Sequence, residues 1–185
     1  MSLGLAATTA PSPGAAASNL TRWAAVAAGL VGAVAALVSF GFTSRGLVAS
    51  VLLGAMGGLA VIDLRQGRLP ISIVLPAGAV VLALQLVLFP DDSREWVLAA
   101  AITFAILLAL SGMRRDSLGM GDALVGFLLG AGLGADVAYA MLIGCLALWP
   151  VAAYLVFHEG ADARKKAIPL TPALAFGAAL VVLAG

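Results

Sequence analysis

Apolar residues run along this chain in blocks, broken by short polar or charged patches, and most blocks are too long for strands. Seven stand out, at residues 23–42, 46–62, 71–89, 96–113, 122–133, 137–157 and 169–184. A helix that crosses a bilayer needs about 20 apolar residues, within a range of roughly 17 to 25. The fifth block has only 12, and Gly132, Gly134 and Asp136 separate it from the sixth. A helix that short fits at membrane depth when its neighbours shield it, or it could start nearer Leu118. The pattern therefore predicts an all-α fold: a polytopic membrane helical bundle of about seven transmembrane helices.

Residues 1–19 are mostly Ala, Ser, Thr, Pro and Gly with no charged side chain. Such a segment has little to bury, so residues 1–22 are expected to form a disordered tail ahead of a membrane-embedded domain at 23–185. They make a poor secretory signal. The first basic residue, Arg22, comes late, and the apolar run after it exceeds the roughly 7–15 residues of a signal core.

Composition agrees with the pattern. The chain is 63% hydrophobic and 10% charged, whereas soluble domains carry about 25% charged residues. The net charge of +1 supplies no field for nucleic acid, and no nucleic-acid partner is expected. The placement of the basic residues is more informative, because cytoplasmic loops are enriched in Lys and Arg. With seven spans and a cytoplasmic N-terminus, Arg22, Arg65, Arg68, Arg114, Arg115, Arg164, Lys165 and Lys166 fall on the cytoplasmic side. Arg45 and Arg94 fall on the other. Removing the fifth span turns eight against two into five against five, so the orientation signal itself argues for that short span. Trp23 and Trp96 open spans, as interfacial anchors do.

Few side chains could carry chemistry. The single cysteine, Cys145, lies inside an apolar run and reads as a small packing residue. His158 and Glu159 close the sixth block without an H-E-x-x-H pattern, so no metal site is expected. Ser111-Gly112 lacks the preceding glycine of a nucleophile turn. Two aspartates stand out. Asp63 ends the second block in Ala-Val-Ile-Asp-Leu-Arg-Gln-Gly-Arg-Leu-Pro, and Asp122 opens the fifth in Ser-Leu-Gly-Met-Gly-Asp. A mid-span Asp costs about 2.5–3.5 kcal/mol to insert, and less near an end. The predicted topology returns both to the cytoplasmic face. Each also has a plainer reading: Asp122 as a helix cap, Asp63 as a hydrated helix end balanced by Arg65. Asp116, Asp136 and Asp162 read as loop residues.

The residues Gly119-Met120-Gly121-Asp122 resemble the G-x-G-D motif of membrane aspartyl proteases. Asp63, with Leu69-Pro70 following, resembles the first catalytic-aspartate motif of the type IV prepilin peptidases. Residues 168–175, Ile-Pro-Leu-Thr-Pro-Ala-Leu-Ala, resemble the proline-containing segment near that family's end. The three occur in the family's order and cover about residues 46–185, leaving the first span unmatched. Bifunctional members add a cytoplasmic insert with paired Cys-x-x-Cys motifs and methylate the new N-terminus. With one cysteine, this chain looks like the short, peptidase-only form, which argues against N-methyltransferase activity. Where the family often has a lysine two positions after the second aspartate, this chain has Leu124.

The resemblance implies a membrane aspartic endopeptidase in a prokaryotic cytoplasmic (inner) membrane, working without metal or cofactor. Asp63 and Asp122 would be the catalytic pair. Two close carboxylates do not both ionise cheaply, so one would act as base and the other as acid. Gly119 and Gly121 would allow close backbone approach to substrate and positive φ where needed. The implied partner is a prepilin-like membrane protein with a basic leader, its helix lying in the lipid bilayer and cleavage following a Gly. Two other classes compete: a small ion-coupled transporter, since intramembrane acids also mark ion paths, and a non-catalytic pilus or secretion assembly subunit.

Overall fold

The computed structural model describes residues 13–113, 119–159 and 169–184. Among them are seven α-helices and no strand: α1 (Pro13–Phe40), α2 (Ser44–Gln66), α3 (Ile71–Leu88), α4 (Ser93–Met113), α5 (Met120–Leu133), α6 (Val137–Glu159) and α7 (Thr171–Ala184). Single 3-10 turns, Pro90–Asp92 and Gly134–Asp136, lead into α4 and α6. Each of the seven apolar blocks falls on one of these helices. By length and apolarity, however, five helical stretches are able to cross a membrane, and the last of them runs continuously from Met120 to Tyr154 through α5 and α6. At 14 residues, α7 is shorter. The chain is a multi-pass membrane protein.

Helix α1 starts at Pro13, well ahead of the Trp23 expected from the apolar block. Residues 13–22 are therefore helix and not irregular tail. A proline is favoured in a first helical turn, and the Ala15-Ala16-Ala17 stretch has the highest helix propensity of any residue type. Residues 1–12 lie outside the described residues, as do Arg114, Arg115, Asp116, Leu118, Asp162, Arg164, Lys165 and Lys166. The α1–α2 connection is capped at both ends. Gly41 takes φ +64 beyond the last turn of α1, and the Thr43 side chain accepts from the Gly46 N–H at 3.1 Å.

The outside of the bundle is apolar. Trp23, Val38, Val87, Leu98, Leu146 and Trp149 are all well exposed, as lipid-facing side chains must be. The centre is α5. It is apolar on every face, and nine of its 14 residues are buried, from Ala123 to Leu133. It packs chiefly against α4 and α3, and also against α2, α6 and α7. That wrapping explains how so short a helix sits at membrane depth: the surrounding helices, not lipid, meet its sides.

Glycines bring the helices close enough to pack. A Cβ on Gly130 of α5 would lie 2.5 Å from the Ala99 carbonyl oxygen and 2.7 Å from the Ala100 Cα of α4. One on Gly126, a turn earlier, would lie 2.6 Å from Leu107 Cδ1. This is a small-xxx-small seam, which lets backbones approach where apolar burial alone gives no drive to associate. The α1–α2 contact works in the same way, with Gly57 against the Ala28 carbonyl at 2.7 Å from such a Cβ.

Polar ties fix the end of the bundle where α5 stops. Gln85 of α3, buried, donates from Nε2 to the Gly132 carbonyl at 3.1 Å. Glu95 of α4 accepts from the Ala135 N–H at 3.1 Å. Asp91, Asp92 and Asp136 lie at this same end, in the two 3-10 turns.

Candidate active site

Asp63 and Asp122 lie together at the opposite end of the bundle. Asp63 sits one turn before the end of α2. That helix stops at Gly67, whose φ of +59 is a left-handed conformation that side-chain-bearing residues avoid, and whose N–H caps the Asp63 carbonyl at 2.8 Å. The chain then turns through Arg68 and Leu69 to Pro70, which precedes the first turn of α3. The turn holds Leu69 directly over the start of α5. A Cβ on Gly121 would lie 2.7 Å from Leu69 Cβ and 3.2 Å from its carbonyl oxygen. The two motifs seen separately in the sequence are therefore one contact in space.

Asp122 is the third residue of α5. Its Oδ2 accepts from the Gly119 N–H at 3.0 Å, the reach-back half of a capping box. Its carboxyl is half-buried and lies within Coulombic range of Asp63. Asp63 is the more enclosed of the two, at 6% exposure. The plain reading of Asp63 as a hydrated helix end does not hold: α7 covers it, and its Oδ2 accepts the Thr171 N–H at 3.1 Å across 108 residues of sequence. Arg65, the expected balancing charge, is exposed.

Both carboxylates therefore meet helix N-termini: Asp122 that of its own helix, Asp63 that of α7. Free N–H groups and the partial positive charge there favour an acidic side chain. Thr171 itself is fully buried, and its hydroxyl has no hydrogen-bond partner. The sequence marks residues 168–175 only by resemblance. Thr171 does not stand out within them, because nothing local says which distant carboxylate a helix start will cap.

The glycines need correction. Neither Gly119 nor Gly121 has positive φ; Gly41, Gly67 and Gly134 do among the described residues. Gly119 has φ −96. Gly121 is explained by its fit under Leu69, not by backbone conformation.

The other candidates fall elsewhere. Ser111 donates its hydroxyl to the Leu108 carbonyl of its own helix at 2.8 Å. His158 is exposed and packs on Tyr154 with ring centroids 4.3 Å apart. Cys145 is exposed on α6.

Comparison with known proteins fits this geometry. The type IV leader peptidase family matches residues 47–184, from the start of α2 to the end of α7. A prepilin leader peptidase/N-methyltransferase of Bacillus subtilis (strain 168) is 31% identical over 156 residues, 82% of this chain. The chain spans 61% of that relative's length. No solved structure matches. With both aspartates, the Leu69–Gly121 contact and the Thr171 turn inside the matched region, this chain belongs to the type IV leader peptidase family.

Proposed function

We propose that the protein is a membrane aspartic endopeptidase that removes the leader from prepilin-like substrates at the cytoplasmic face of a prokaryotic inner membrane. The observation that carries this reading is the Leu69–Gly121 contact, which brings the end of α2 with Asp63 and the start of α5 with Asp122 to one end of the bundle, the two carboxyls within Coulombic range of each other. Membership of the family supports the same reaction class.

The proposed chemistry needs no group beyond the two carboxyls. The reaction requires one of them ionised and the other protonated. The ionised member takes a proton from a water, which attacks the scissile carbonyl carbon. The protonated member donates to the carbonyl oxygen and, as the tetrahedral intermediate collapses, a proton passes to the leaving amine. Acid and base are roles of the pair and not labels for one residue. The substrate's apolar helix lies in the bilayer beside the bundle, and its leader reaches the aspartates at the membrane face. Arg65 and Arg68, near the site, act on lipid headgroups and set topology; they repel a basic leader. With seven spans, the eight-to-two split of basic residues favours a cytoplasmic N-terminus, which would set the aspartates on the same side.

The test is leader removal from a co-expressed prepilin-like protein. Asp63→Asn and Asp122→Asn each keep the acid's shape without its charge. Both variants are expected to insert normally and to leave the leader attached. Wild-type processing by either one overturns the proposal.

A further inference from the structure

The Thr171 hydroxyl is buried without a hydrogen-bond partner, in a residue that is 0% exposed. Burying an unpaired hydroxyl lowers stability, and valine has the same shape without that penalty. A position chosen only for packing would favour valine. The backbone N–H of this same residue donates to Asp63 Oδ2 at 3.1 Å. By standard bond geometry the hydroxyl oxygen stays roughly 3–4 Å from its own backbone nitrogen in every rotamer. A turn between the two χ1 rotamers open to threonine at a helix changes its distance to the Asp63 carboxyl, whose Oδ2 that nitrogen already meets.

We propose that Thr171 is a positioning residue for Asp63, resting on the peptidase reading above. Its hydroxyl turns onto the carboxyl group and, with the N–H of the same residue, clamps Oδ2. Two donors converging on Oδ2 fix the position of that oxygen more narrowly than one. Oδ1, which accepts no hydrogen bond among the described residues, is left for water and Asp122. No bond is made or broken by Thr171. Its contribution is to hold Asp63 in the orientation that proton transfer requires, where small displacements are expensive in rate.

The experiment compares Thr171→Val, Thr171→Ser and Thr171→Ala in the full chain, reconstituted in lipid nanodiscs with a purified prepilin-like substrate. Asp63→Asn is run beside them. Expected for Thr171→Val is a kcat lower by about tenfold or more, the loss of one oriented hydrogen bond, with KM unchanged and thermal stability equal or higher. Thr171→Ser keeps the hydroxyl and is expected to restore most of kcat. Thr171→Ala, which differs from Ser by that one oxygen, should not. A Thr171→Val enzyme with wild-type kcat overturns the inference. So does a kcat loss that tracks lost stability and is shared by Ser and Ala, because that pattern is packing alone. If Thr171→Val fails to insert, the difference in kcat between Ser and Ala decides the question in its place. Should Asp63→Asn cleave normally, the parent reading fails. Should Asp63→Asn be inactive while Thr171→Val is normal, only this inference fails.

Discussion

Gly121→Ala adds one methyl group between the two halves of the proposed site. The new Cβ would lie 2.7 Å from Leu69 Cβ and 3.2 Å from the Leu69 carbonyl oxygen. Carbon atoms in contact prefer about 3.5–4.0 Å, so the α2–α3 turn and the start of α5 must separate by roughly 1 Å. Neither Leu69 atom is the free end of a side chain, so no rotamer change relieves the clash. Overpacking of this kind costs about 1–3 kcal/mol of stability. The turn that must move begins one turn after Asp63, and α5 carries Asp122 one residue from the insertion. A displacement near 1 Å between reacting groups costs on the order of 100-fold in rate. The assay is leader cleavage by purified, folded protein, with stability measured in parallel. Gly130→Ala is the control. Its Cβ would be 2.5 Å from the Ala99 carbonyl oxygen and 2.7 Å from the Ala100 Cα, a larger insult, but at the α4–α5 seam away from the aspartates. Among folded protein, Gly121→Ala should lose far more activity than Gly130→Ala although Gly130→Ala loses at least as much stability. Adding Leu69→Gly, which removes the clashing Cβ, should return part of the activity. A Gly121→Ala enzyme with wild-type cleavage refutes the argument that this contact sets the distance between the carboxyls.

Gly67→Ala meets open space but must adopt φ +59; thermal or denaturant unfolding should show a loss of about 1 kcal/mol. Gln85→Leu removes the bond to the Gly132 carbonyl but also removes a buried, unpartnered side-chain oxygen. Membrane hydrogen bonds of this type contribute about 0.6–2 kcal/mol, so the net change in unfolding free energy should be small, within about 1 kcal/mol. Topology is testable by cysteine labelling in a Cys145→Ser background. Gln66→Cys and Met120→Cys, both exposed and at the aspartate end, should react with an impermeant maleimide only after the cells are opened. Asp91→Cys, at the other end, should react in intact cells.

The sequence made the helices legible because apolar blocks are local: the ends of α2, α3, α4 and α6 fall within a few residues of the expected ones. It also brought Asp63 and Asp122 to one end of the bundle, since two intervening helices return the chain to the end it left. The start of α1 was missed because alanine-rich helix propensity was outweighed by the absence of bulky apolar residues before Arg22. The burial of Asp63 was not legible. Its cover comes from Thr171, 108 residues away, and no periodicity within α2 or α7 encodes that meeting. The fit of Gly121 under Leu69 was not legible for the same reason: the residue it makes room for belongs to another element. In α5 the shortness of the block was visible, but the helices that surround it were not.

Helices α5 and α7 have 14 residues each and both begin at the aspartates. At 1.5 Å of rise per residue, each reaches roughly 21 Å, against a hydrocarbon layer about 30 Å thick. Their unpaired starting amides have to be met by something polar. Wherever lipid and not a neighbouring helix meets these starts, the bilayer would have to thin or admit a wet dimple, and under the proposed function either would let a polar leader descend to the carboxyls instead of the carboxyls rising to it. Thicker membranes would deepen that dimple and shift its energetic balance, making lipid chain length a natural dial on how readily a peptide is received.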